Sequence, residues 1–238
     1  MNVKYFKDYD AMSKFAAEFV AERIKSKPSF VLGLPTGSSP LGMYSALIDM
    51  NKKGEVDFKN VTTFNLDEYY PIKQTHEQSY YRFMHDNFFD HININKDKIN
   101  IPDGSAEDAA AECSGYEKKI EAAGGIDLMV LGIGENGHIG FNEPGENLSS
   151  VTFHVGLTEN TREVNKRFFD SIDDVPKFAL SMGMGTILKC REILMLVKGE
   201  NKKEAFLGML KPEVTAQNPA SFLNLHNSVT VITDMDKQ

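Results

Sequence analysis

Ile126-Asp127-Leu128-Met129-Val130-Leu131, followed by Gly132-Ile133-Gly134-Glu135-Asn136-Gly137-His138-Ile139-Gly140-Phe141-Asn142-Glu143-Pro144, is the stretch that decides the fold. The first six residues are almost wholly apolar and read as a buried parallel strand. That strand runs directly into glycines, so its C-terminal end is a turn with little side-chain bulk. In an open α/β sheet this is the end at which ligands bind. Here it presents a histidine, two asparagines and two glutamates between residues 135 and 143. The glycines let the backbone turn tightly and come close to a ligand. The combination reads as an active-site loop.

Working outward, the same strand-then-loop pattern recurs. Residues 29–34 form a strand that leads into Pro35-Thr36-Gly37-Ser38-Ser39-Pro40. Pro40 suits the first turn of a helix, which continues over 41–49. The loop therefore ends at a helix N-terminus with hydroxyls nearby, a suitable place for a phosphate. No Gly-Lys-Ser/Thr follows, and this loop lacks the G-x-G-x-x-G dinucleotide pattern. Residues 59–66 give a further strand, with Asp67-Glu68-Tyr69-Tyr70-Pro71 read as the loop at its end. Asp67 or Glu68 is placed there as a general base. Residues 191–197 give one more strand, with Lys198-Gly199-Glu200-Asn201-Lys202-Lys203 at its end and a helix from about 202 to 210. A lysine at a helix start is opposed by the helix dipole, which makes sense if an anion lies between them.

Helices fill the spaces between. Met12, Phe15, Ala16, Phe19, Val20 and Ile24 recur at helical spacing across 8–27, with Asp8 or Asp10 placed to cap. A second helix is expected over 78–88, and a third over 105–121 with Ser105 as its cap. Residues 151–155 alternate like a strand, a glycine-marked loop at 181–186 starts a short helix to 189, and 228–233 closes as a strand. The whole predicts an α/β fold of three layers, αβα, with a mostly parallel central sheet, Rossmann-like. The loops at 35–40, 67–71, 134–144 and 198–202 would then converge on one edge. One domain, 1–238, is expected.

Composition narrows the function. With 26 Lys+Arg against 34 Asp+Glu the formal charge is −8, which argues against broad nucleic-acid contact. No apolar run approaches transmembrane length and no apolar signal core opens the chain, so a cytoplasmic protein without membrane contact is expected. Cys113 and Cys190 do not suggest a disulfide framework. His76, His85 and His91 do not pair at any metal-ligand spacing, so no metal is expected.

Taken together, Asn65-Leu66-Asp67-Glu68-Tyr69, Gly134-x-x-Gly137-His138-Ile139-Gly140-Phe141-Asn142-Glu143-Pro144, Thr161-Arg162 with Asn165 and Arg167-Phe168-Phe169, and Gly199-x-x-Lys202 resemble the glucosamine-6-phosphate deaminases. The resemblance runs over nearly the whole chain. It implies a hexosamine phosphate substrate, D-glucosamine 6-phosphate, converted with water to D-fructose 6-phosphate and ammonium, with no cofactor. His138 would be the acid/base that opens the sugar ring and Glu143 its partner. Asn136 matches a position where many members carry aspartate, so here the group orients by hydrogen bonding and carries no charge. Asp67 would move the proton between C2 and C1, ionised and ready as a free carboxyl with a pKa of roughly 4 would be. Glu68 beside it would hydrogen-bond nearby or be solvated. Ser38, Ser39, Arg167 and Lys202 would hold the phosphate, and about 158–180 would form a mobile lid.

The resemblance has two rivals. A 6-phosphogluconolactonase-like hydrolase shares the Gly-His segment but not its Phe-Asn-Glu-Pro continuation, and the Asp67 and Glu143 pattern argues against it. A sugar-phosphate-sensing effector domain would carry a helix-turn-helix segment, for which the region before residue 29 leaves no room. Monomer and homo-oligomer both stay open.

Overall fold

The computed structural model describes residues 1–166, 169 and 171–237, excepting the side chains of residues 160, 164 and 165. In chain order the elements are β1 (Asn2–Tyr5), α1 (Tyr9–Ser26), β2 (Val31–Leu34), α2 (Leu41–Lys52), β3 (Thr62–Asn65), β4 (Asp67–Tyr70), α3 (Tyr80–Asn87), β5 (Ile99–Asn100) and α4 (Ala109–Ala122). They continue with β6 (Leu128–Gly132), β7 (Phe153–Gly156), α5 (Glu159–Asn165), β8 (Phe178–Ser181), α6 (Met184–Leu188), β9 (Glu192–Val197), α7 (Lys203–Met209) and β10 (Val229–Thr233). Seven strands form one parallel sheet in the order β1-β10-β9-β6-β2-β3-β5.

The apolar runs are continuous because both faces of that sheet are covered. Along β6, Leu128 and Val130 join the core shared with α1 and α2, while Met129 and Leu131 join the core on the opposite face with α4 and α7. Strand β9 divides in the same way, Leu194 and Leu196 to one side, Ile193, Met195 and Val197 to the other. Helices on both faces of a parallel sheet make the expected three-layer α/β arrangement. Among the described residues no helix is long and apolar enough to cross a membrane.

The order of strands places the site. From β2 the chain builds outward through β3 and β5, then returns to the far side of β2 as β6. The loops after β2 and β6 therefore leave in opposite senses and open a crevice between them.

Three expectations need correcting. Residues 67–70 are not a loop: they form β4, which pairs antiparallel with β8, and β8 pairs with β7, in a second sheet. Strand β1 went unanticipated, a half-exposed edge strand paired to β10. Ser105 does not cap α4. Its N–H and hydroxyl both donate to Asp103 Oδ1, and Asp108 caps instead by accepting from Ala110 and Ala111 N–H. Asp8 caps α1 as expected, accepting from Ala11 N–H at 2.8 Å.

Candidate active site

A pocket of about 360 Å³ opens where these loops meet. Ser38 and Ser39 line it from the loop after β2, Asp67 from the start of β4, and Asn136, His138 and Glu143 from the loop after β6. Lys202 enters from the turn that follows β9. Seven of the eight residues singled out from the sequence thus share one cavity. Arg167 lies outside the described residues.

Asp67 is 7% exposed. Removal from water, and after it the charge of Glu68, pushes its carboxyl up to about 8. This corrects the expectation of an ordinary carboxylate. At neutral pH this favours the neutral acid of Asp67 in the free protein. Glu68 points to the opposite side of the strand, as successive residues do. It is buried, and its oxygens accept from the N–H groups of Tyr69 at 2.9 Å and of Tyr80 and Tyr81 at 2.8 Å, the latter two opening α3. Burial raises the Glu68 carboxyl to about 7 against the lowering effect of those three donors. Glu68 is consumed by this structural task and does not line the pocket, so of these two neighbours Asp67 is the one facing it.

Across the pocket, Asn136 organises the histidine. Its Oδ1 accepts from the backbone N–H of His138 at 3.2 Å and lies 2.7 Å from the ring Nδ1. Its Nδ2 donates to Glu143 Oε2 at 2.8 Å. A backbone N–H can only donate, so the amide oxygen must face it, and the ring Nδ1 must then carry its proton. The other ring nitrogen, Nε2, is left as the lone-pair nitrogen of neutral His138. Glu143 Oε2 is also 3.4 Å from Nδ1, and Oε1 accepts from the Thr161 hydroxyl at 2.9 Å. Burial by itself raises the Glu143 carboxyl, but His138, Asn136 and Thr161 together outweigh it and hold the group at about 2. The ring packs against Gly134, where any β-carbon would collide with it.

The corner formed by Ser38 and Ser39 is built on a brace. Tyr9, at the start of α1, donates its hydroxyl toward the carbonyls of Ser38 and Ser39 at 3.1 and 3.0 Å and accepts from Gly42 N–H at 2.8 Å. The loop is thereby fixed before α2 begins. Lys202 Nζ stands 4.0 Å from Glu135 Oε1 on the same rim. Lys202→Ala is expected to raise KM for a phosphorylated substrate about tenfold or more with a small change in kcat, as loss of an interaction made equally in ground and transition states does. An unchanged KM would clear Lys202 of phosphate contact.

Sequence reasoning missed several contributors. Thr161 was visible only as part of a family pattern, and its bond to Glu143 spans 18 residues. Tyr80 lines the pocket and stacks on Phe141, and Ser181 accepts from Phe141 N–H at 3.0 Å beneath it. No local signal marks these, since each meets the pocket through contacts with residues distant in sequence. The three histidines weighed as metal ligands are accounted for by protein partners: His85 Nδ1 by Asp90, His91 Nε2 by the Asp86 carbonyl, and His76 Nδ1 by Gln78 N–H. Among the described residues no three His, Cys, Asp or Glu side chains are gathered to hold a metal.

The chain is similar over nearly its whole length to several known proteins. The glucosamine-6-phosphate deaminase of Thermoanaerobacter sp. (strain X514) is 55% identical over 229 residues, covering 96% of this chain and 90% of that one. The enzyme of the same name from Halothermothrix orenii is 52% identical over 236 residues, covering 99% and 98%. A solved monomeric glucosamine-6-phosphate deaminase superposes with a TM-score of 0.95 at 45% identity, covering 98% of this chain and 97% of that one. A 6-phosphogluconolactonase from Thermotoga maritima shares the fold at a TM-score of 0.76 and 19% identity, covering 98% of each chain. The model of the family described as glucosamine-6-phosphate isomerases/6-phosphogluconolactonase matches residues 7–232, and the chain belongs to that family.

Proposed function

We infer that this chain converts D-glucosamine 6-phosphate and water to D-fructose 6-phosphate and ammonium. The observation that carries the reading is one pocket holding a buried carboxyl, Asp67, opposite a histidine–carboxylate pair, His138 and Glu143, with Ser38, Ser39 and Lys202 at its rim. A lactone hydrolase needs no second carboxyl poised to move a proton between carbons. The phosphate sits against Ser38, Ser39 and Lys202, with Arg167 added by family resemblance. His138 Nε2 takes the anomeric hydroxyl proton and returns one to the ring oxygen, which opens the ring. Glu143, ionised well below neutral pH, stabilises the imidazolium formed in between.

Asp67 then takes the proton from C2 and delivers one to C1, through an enolamine. The resting acid must first lose its own proton, and a cationic amine at C2 favours that loss. Water adds to the resulting C2 iminium, and ammonia leaves with a proton as ammonium. Residues of about 158–180 act as a lid, in keeping with three contacts. Arg162 Nη2 donates to the Ile172 carbonyl at 2.6 Å, Phe169 packs edge-on to Tyr69, and Thr161 reaches Glu143. Seating this segment would exclude water from the enolamine. Buried free thiols at Cys113 and Cys190 suit a reducing cytoplasm.

The direct test is ammonia release across a panel of hexosamine phosphates. Release from glucosamine 6-phosphate with fructose 6-phosphate formation is expected, and lactone hydrolysis without ammonia release would overturn the assignment. The pH profile is a second expected result. In the free protein Asp67 must be ionised to act, so kcat/KM should fall about tenfold per pH unit below about 8. In kcat that limb should lie at lower pH, because bound amine favours the carboxylate. A kcat/KM that is flat from neutrality to about pH 8 would contradict the buried-acid assignment.

A further inference from the structure

Glu143 divides its two oxygens between two parts of the chain. Oε2 takes the Asn136 amide and lies beside His138 Nδ1, both in the loop after β6. Oε1 takes the hydroxyl of Thr161, in the first turn of α5. The direction of that second bond follows from counting protons. Thr161 Oγ1 is 2.9 Å from Glu143 Oε1 and 2.9 Å from Thr158 Oγ1. A carboxylate can only accept, so the single Thr161 hydroxyl proton goes to Glu143. Thr161 Oγ1 must then accept from the Thr158 hydroxyl. Thr158 Oγ1 in turn caps α5 by accepting from Thr161 N–H at 3.1 Å. The two hydroxyls form a one-way chain that ends on Glu143.

This arrangement has a mechanical meaning. The terminal torsion of a glutamate is soft, so a carboxylate gripped by one oxygen can still swivel. Gripped by both, from two separate segments, it cannot. We propose that Thr161 is a positioning residue for the His138–Glu143 pair: by donating from α5 to Glu143 Oε1, it holds Oε2 toward Asn136 and His138, and makes alignment of the pair depend on α5 being seated over the pocket. The proposal deepens the reading of His138 as the ring-opening group and rests on it. Among the described titratable groups, His138 lies against the carboxylate, and Asp67, Tyr80, Glu135 and Lys202 line the same pocket.

The test compares Thr161→Val, which keeps the shape and removes the hydroxyl, with Thr161→Ser, which keeps the hydroxyl. Thr161→Val should lower kcat for glucosamine 6-phosphate about 10- to 100-fold with KM within about threefold, the size expected of a misaligned catalytic group. Thr161→Ser should restore kcat to within about threefold of the parent. The second readout needs no substrate: the side-chain carboxyl carbon of Glu143, followed by NMR from about pH 1 to 6 so that the parent midpoint at about 2 is bracketed, should titrate at higher pH in Thr161→Val than in the parent, and near the parent in Thr161→Ser. The proposal stands only if both readouts move in Thr161→Val and return in Thr161→Ser. An unmoved carboxyl titration, an unmoved kcat, or an equal loss in Thr161→Ser overturns it. Should the parent release no ammonia, the assigned activity fails, and the carboxyl titration alone then decides whether Thr161 grips Glu143.

Discussion

Asp67→Asn should still bind the sugar phosphate, within about tenfold of the parent because the carboxylate that the bound amine favours is gone, and lose about 10²- to 10⁴-fold in turnover, the usual weight of a positioned proton carrier. The structure explains why binding should survive. In the free protein Asp67 is held up to about 8 by burial and by Glu68, which favours the neutral acid at neutral pH. An amide of the same size and charge replaces it with little disturbance, yet can neither take a proton from C2 nor return one to C1. Exchange of the C2 proton with solvent, followed by NMR on bound substrate, is the decisive measurement. Exchange at the parent rate would show that another group is the base. Stability supplies an independent sign. A carboxyl whose pKa is raised on folding binds its proton more tightly in the native state. Its favourable contribution is therefore complete below the unfolded value of about 4 and is lost as pH rises through about 8. Asp67→Asn should thus melt higher than the parent above about pH 8, and the gap should close toward pH 4. A more stable and nearly inactive variant is the pattern expected of a site that spends stability on reactivity.

Gly140→Ala is expected to be nearly as damaging for a different reason. Gly140 has φ +58°, in the left-handed region, where an alanine costs about 1–2 kcal/mol. Its new β-carbon would stand 3.1 Å from Ser181 Oγ and 3.2 Å from Asp67 Oδ2. Those two residues are paired partners across β4 and β8, both deeply buried, so neither can step aside without opening the second sheet. The carboxyl must shift by a few tenths of an ångström, and a catalytic group misplaced on the ångström scale costs about 10²-fold. A fall of that order in kcat/KM is expected, together with a melting temperature lower by roughly 2–8 °C. Parent-like kinetics with only the melting temperature lowered would mean that the gap beside Asp67 is not part of the reaction space.

Much of this was readable in advance, for physical reasons. Runs such as 126–131 and 191–197 are legible because a strand covered on both faces has no polar alternation to confuse it. Their loops are legible as a site because parallel strands end together. The second sheet was not legible. Asp67-Glu68-Tyr69-Tyr70-Pro71 reads as a polar turn, and only pairing with 178–181, more than a hundred residues away, makes it a strand. The elevated carboxyl followed the same fate, since burial is a property of the fold and not of the dipeptide Asp67-Glu68. The family pattern carried Asn136, His138 and Glu143 to the right loop. It could not say that the amide would face its oxygen to the ring and its nitrogen to the carboxylate, because a fixed backbone N–H sets that choice.

The hydroxyl of Tyr9 has a wider reach than one bond would have. Helix α1 lies in the packed interior through Met12, Ala16, Ala17 and Val20, and its opening residue reaches out to grip residues 38, 39 and 42. An irregular glycine- and serine-bearing turn is thereby bolted to a girder. Stiffness at the rim is borrowed from oily packing deep inside, and the turn stays free to spend its own side chains on whatever arrives from solution.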